Sequence, residues 1–223
     1  MNKSFEENCG IALIVFTILL LFTMVLHPMG GSVEHLIRIT KTIVLTHSIA
    51  ILSIPFGWIG FWGLTRKLGT GDFFSMLGFV TVSVALMAVL LAATTNGIAL
   101  PLFLQNYQDA NPETIATLKP ILQYSFAVNH AFDYIYSASF CLAILSWSVS
   151  ILQTAKLPRW TAWIGFAIVV AAIVIIVAGV AVNSLQGLRL FFAGIVIWII
   201  MLGIVLLKHN HANDPINNHI TKS

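Results

Sequence analysis

Six long stretches of the chain carry almost no strongly polar residue, at about 10–27, 42–64, 73–95, 124–152, 160–182 and 188–207. Each is close to or above the roughly 20 apolar residues that a helix needs to cross a hydrocarbon core. The runs are continuous and do not alternate apolar with polar positions. They therefore predict helices that satisfy their own backbone groups, and they exclude the strands of a membrane barrel. The expected fold is all-α: a polytopic membrane bundle of about six transmembrane helices. One domain spans 1–207 and a polar cytoplasmic tail spans 208–223.

The breaks between runs refine this picture. Only Asn96 to Gln123 is a long connection, and it carries helix signals of its own. Asn111-Pro112-Glu113 reads as an N-cap, a proline at the first helical position and an acid in the first turn. Pro120 reads as the opening of the fourth span. The third and fourth helices are thus expected to project from the membrane and carry an outer cap around 96–123. Pro55 is the main candidate for a break within a span. The fifth and sixth runs are Ile, Val, Ala and Gly almost throughout, with Gly194 and Gly203 as small residues for close helix contact. Trp-Ile-Gly-Phe occurs at 58–61 and again at 163–166. An inverted duplication would put the copies on opposite sides of the membrane. Both are expected on the same side, so no repeat is inferred. The first run ends in His27-Pro28-Met29-Gly30 with no small-x-small pattern, and its polar lead is not basic, so it is read as a retained helix.

Composition agrees. Of 223 residues, 58% are hydrophobic and 9% charged, with a mean hydropathy of +0.94. Soluble domains carry about a quarter charged residues, so lipid must cover most of this surface. A net charge of +3 is too small to argue for nucleic acid. Cys9 and Cys141 form no CxxC pair and predict no structural disulfide. With the N-terminus inside, the cytoplasmic segments hold seven basic residues: Lys3, Arg66, Lys67, Lys156, Arg159, Lys208 and Lys222. The outer segments hold four: Arg38, Lys41, Lys119 and Arg189. Basic residues in short loops favour the cytoplasm, so both termini are expected there, in a cell or inner membrane. Trp58, Trp62, Trp160 and Trp163 fall where the cytoplasmic interface belongs.

Ionisable groups inside spans are few, which makes each a lead. Asp133 is the one carboxylate well inside a span, and no Lys or Arg lies deep in one. At 1.5 Å per residue, His27, His47 and Asp133 lie about 25 Å up from the cytoplasmic ends and His130 about 30 Å up. These four therefore share one level just under the outer interface. His130 and Asp133, three residues apart, project from one helix face. Asn129, Tyr134 and Tyr136 add polar atoms nearby. Asn96, Asn183 and Arg189 belong to a rim, and His35 lies in the short outer loop beside Glu34. The tail holds His209, His211 and His219, read as solvated.

Three chemistries fit such a group. Zinc or non-haem iron would take His47, His130 and either His27 or Asp133, with Asp133 as a catalytic base when it does not ligate. That reading is a metal-dependent hydrolase acting on a lipid-like substrate. Haem b would be held between His47 and His130. A non-catalytic lipid-handling protein, transporter or partner subunit would use the same residues as a relay or structural cluster. HxxD at 130–133 is a weak signal. HExxH, Walker, Gly-x-Ser-x-Gly and dinucleotide motifs are absent. The partners expected are membrane lipid and a lipid-like substrate. The hydrolase is the leading expectation.

Overall fold

The structure is a computed structural model. It describes residues 3–28, 30–177 and 185–211, with side chains described at 4–28, 30–174 and 192–208. The described backbone is helical, and no strand occurs among these residues. The elements are α1 (Lys3–Leu26), α2 (Val33–Arg38), α3 (Thr40–Leu68), α4 (Phe73–Ala92), a π-helical segment (Ala93–Ala99), α5 (Leu100–Gln105), α6 (Pro112–Thr117), α7 (Lys119–Thr154), α8 (Arg159–Val177) and α9 (Leu185–His211).

Among the described residues, four stretches are long and apolar enough to cross a membrane: Ser4–Leu26, Thr40–Leu68, Phe73–Gln105 and Pro112–Thr154. Arg159–Val174 and Phe192–Lys208 are shorter apolar helices among the described residues. In sequence order α1, α3, α4, α7, α8 and α9 each pack on the next, and α9 returns to α1, so six helices close into a ring.

The end holding the start of α1, here the N-terminal end, is densely filled. Phe61 of α3 stacks on Trp147 of α7 at 5.1 Å and meets Phe16 and Phe140 edge-on at 5.8 and 5.9 Å. Trp147 in turn lies 6.2 Å from Trp198 of α9. Both indoles are fully buried and both donate, Trp147 Nε1 to Thr65 Oγ1 (3.2 Å) and Trp198 Nε1 to the carbonyl of Thr161 (3.1 Å). A buried indole N–H needs such a partner. Gly57, Gly60 and Gly63 form a stripe on α3 that lets α1 approach closely. A Cβ at Gly63 would stand 2.2 Å from that of Cys9, and one at Gly60 would stand 2.6 Å from Leu13. Gly203 meets Gly10 across the α1–α9 contact and Gly194 packs on Ile168, as the small residues of the last helix imply. Lys67 bonds Glu6 at 2.8 Å, and Arg66 lies over the Phe5 ring.

The distal end is built differently. Here α2, α5, α6 and the start of α7 form a cap with a small apolar core of its own, including Val33, Leu36, Leu104, Ile115 and Leu122. Asn111 caps α6 through its side chain, which accepts from Thr114 N at 2.8 Å, with Pro112 following as the first helical residue. Pro120 lies in the first turn of α7. The capping signals therefore operate as read. The 96–123 connection is nevertheless mostly helix, because α4 runs on through the π segment into α5. Pro55 does not break its span, since α3 is continuous from Thr40 to Leu68.

Candidate functional site

His47 lies two turns into α3. Its Nδ1 bonds the carbonyl of Ile43 at 2.8 Å. A carbonyl can only accept, so Nδ1 carries a proton and donates it, and Nε2 is left without a partner from its own helix turn. His27 directly follows the last residue of α1, just before Pro28, and its Nδ1 bonds the Pro28 carbonyl at 3.0 Å. The two imidazoles meet edge-on, with ring centres 5.2 Å apart and planes at 61°. Thr46 Oγ1 reaches the carbonyl of Leu26 at 3.4 Å, tying the ends of α1 and α3 together beside them.

The wall opposite His47 is the π segment. A Cβ at Gly97 would stand 2.0 Å from His47 Cγ, so the imidazole sits in space that any other residue would fill. π-helical turns inside α-helices occur frequently at functional sites. In this one, Thr94 and Thr95 bond back to the carbonyls of Leu90 and Leu91 at 2.7 and 2.8 Å. The next residue, Asn96, points across to α7, where Ser125 donates to its Oδ1.

The third wall comes from α7. Asn129, Phe132, Asp133 and Tyr136 recur at helical spacing and face inward. Asn129 Nδ2 donates to Asp133 Oδ2 at 3.2 Å. Tyr136 is buried and stacks on Phe192 of α9 at 5.2 Å.

These walls enclose two cavities. The first, of about 140 Å³, is bounded by Leu20, Met24 and Ala88 among others, with Asp133 and Tyr136. The second, of about 160 Å³, lies toward the cap between Leu36, Asn96, Leu104 and Phe126. His27, His47 and Asn129 line both, so these three side chains are a shared partition.

No protein-family model, curated protein or solved structure matches this chain. The site is therefore read on its own chemistry.

Of the four residues expected at one level, the structure brings three to one cavity: His27, His47 and Asp133. His130 lies 3.7 Å from Asp133 through Nδ1, with its side chain 47% exposed, and lines neither cavity. Helix rotation separates it from the others at equal depth. Among the described residues, no three His, Cys, Asp or Glu side chains gather closely enough to hold a metal ion. The zinc or iron reading, with His47, His130 and His27 or Asp133 as ligands, therefore gains no ligand set. Haem between His47 and His130 gains no facing pair, because His47 lines both cavities and His130 lines neither. Asn96, placed on the rim by sequence, lines the second cavity. His35 stays peripheral on α2, where its backbone N–H meets the Ser32 hydroxyl cap at 3.4 Å. In the same turn a hydrogen bond from Ser32 holds the exposed Glu34 carboxyl below the usual carboxylate range. Tyr134 is exposed, unlike Tyr136. Asn183 and His219 lie outside the described residues, as do the side chains of Arg189, His209 and His211, although the backbone of α9 runs to His211.

The sequence reading missed Gly97, Ser125, Phe132 and Phe192. The Thr94-Thr95-Asn96-Gly97 run was the available signal for the first, since four small or polar residues interrupt an otherwise apolar helix there.

Proposed function

We propose that this chain is a lipid-handling membrane protein, crossing the bilayer six times with both termini in the cytoplasm, that binds the polar head of an amphiphile in its outer half. The observation that carries this reading is the shared partition of His27, His47 and Asn129 between two largely apolar cavities. Small-molecule sites combine apolar walls with a few convergent polar groups that set orientation. Here Nε2 of His47, the amide of Asn129 and the carboxyl group of Asp133 are those groups. Polar groups at this depth are expensive unless a partner satisfies them, and a hydroxylated or amide-bearing head supplies such partners.

Six spans follow from counting α8 and α9 with the four longer helices. The orientation follows from the seven-to-four basic asymmetry and from Trp160 and Trp163, both exposed at the N-terminal end. This reading places lipid handling ahead of a metal-dependent hydrolase, because the first needs only the residues that line the cavities. The hydrolase needs a third convergent ligand.

The test is mass spectrometry of lipids retained by the untagged protein after purification in mild detergent, beside His47→Ala and Asn129→Ala and with metal content measured on the same samples. A retained amphiphile that both substitutions deplete supports the reading. A folded wild type that retains nothing above a control membrane protein overturns it. Zinc or iron at one ion per chain, lost with His47→Ala, moves the reading to the metal enzyme.

A further inference from the structure

The polar groups of the site lie between two largely apolar chambers. Along α3, Ile43 lines the second cavity, His47 lines both and Ala50 lines the first. The same order recurs along α7, with Phe126 in the second cavity, Asn129 in both and Phe132 in the first. Each set has three- or four-residue spacing, so each is one helix face that reads apolar, polar, apolar. On α1, Met24 lines the first cavity and His27 lines both. Asp133 accepts from Asn129 at 3.2 Å and lies 3.7 Å from His130, both on its own helix, so it belongs to the same polar layer.

A molecule with its head at one end would fill one chamber and leave the other empty. Resting on the reading above, we infer that the polar group of the bound amphiphile is internal. The site takes a compact molecule with one amide link at the partition and an apolar arm in each cavity.

Volume sets the arms. An apolar cavity of about 150 Å³ holds benzene, and these two measure about 140 and 160 Å³. Each arm is therefore about six carbons. Together the cavities reach only the low end of the roughly 300–1,000 Å³ of small-molecule sites, which leaves no room for a long acyl chain.

Hydrogen bonding sets the link. His47 Nδ1 donates to the Ile43 carbonyl and Asn129 Nδ2 donates to Asp133. Neither bond uses Oδ1 of Asn129, which can only accept. A secondary amide brings the N–H that this oxygen needs, and a carbonyl for the second N–H of Asn129. An ester brings no donor, and a buried acceptor without one is costly.

The experiment measures equilibrium retention of three radiolabelled probes by the full-length protein in phosphatidylcholine nanodiscs, with protein-free nanodiscs subtracted. N-hexylhexanamide carries its amide at the centre. Dodecanamide has the same atoms with the amide at one end, and hexyl hexanoate replaces the central amide by an ester. N-hexylhexanamide is expected to bind at least about tenfold more tightly than either. Ala50→Leu, which fills the first cavity, and Leu36→Phe, which fills the second, are each expected to lower its binding about tenfold. Thermal unfolding reports whether each variant folds, and should either fail, the wild-type comparison of the isomers decides. Equal binding of the two isomers, or a loss from only one of two folded variants, would overturn the internal link. An ester that binds as tightly as the amide would overturn the choice of amide. Dodecanamide held more tightly, and released by His47→Ala, would overturn this inference and leave the proposed function standing. A folded wild type that holds none of the probes and no amphiphile from its own membrane would overturn both.

Discussion

The two ends of the bundle are built from the same helices and solve opposite problems. At the N-terminal end, α1 and α3 touch through a glycine stripe, and a ladder of aromatic rings from Phe16 through Phe61 and Trp147 to Trp198 fills the centre. At the distal end His27, just past the end of α1, and His47, two turns into α3, bring their imidazoles 5.2 Å apart, α4 widens into a π segment, and two cavities remain. Lipid tails are as apolar as a leucine core, so packing and hydrogen bonds hold membrane helices together. A bundle can keep a hollow end where its other end is close-packed. The difference marks the first as anchor and the second as the candidate site.

The anchor should be the most sensitive part. Trp147→Ala removes a fully buried indole stacked on Phe61 and bonded to Thr65. Truncations of this kind cost about 3–5 kcal/mol, and unfolding in mild detergent should show that loss. A change below about 1 kcal/mol would mean that the aromatic ladder is not what holds the helices.

Gly97→Ala tests where anchor logic stops. A helical glycine replaced by alanine ordinarily gains about 0.5–1 kcal/mol. Here the new methyl would stand 2.0 Å from His47 Cγ, so a net loss of about 1–3 kcal/mol is expected from overpacking. A gain in stability would show that His47 moves aside freely and that the partition is soft.

His47→Ala should lower the affinity for the retained amphiphile about tenfold, the equivalent of about 1.4 kcal/mol and of one lost hydrogen bond. His130→Ala, at the same depth, should change that affinity less than about twofold and stability by less than about 0.5 kcal/mol. Equal effects from the two would remove the case for a cavity-centred site.

Ser125→Ala should have a small effect on folding. Its hydroxyl bridges α7 to Asn96, and side-chain hydrogen bonds between membrane helices average about 0.6 kcal/mol. A loss of more than about 2 kcal/mol would mean that this contact carries more of the fold than one hydrogen bond.

Residue order was enough to show an all-helical, lipid-covered chain, because continuous apolar runs and scarce charge admit no other solvent for most of its surface. It was enough for the cap signals at Asn111 and Pro120, which act through their own neighbours. It also put His27, His47 and Asp133 at one depth, because helical rise is fixed at 1.5 Å per residue. Depth is a single coordinate, however, and rotation about each helix axis depends on which faces the neighbours bury. That is why His130 turned out beside the site and Asn129, one residue away, turned out within it. The continuation of α4 through Gly97, the seating of His47 against it and the joining of two cavities at one partition arise from packing between helices far apart in sequence. Only the tertiary structure decides these, because no local pattern encodes how one helix face meets another.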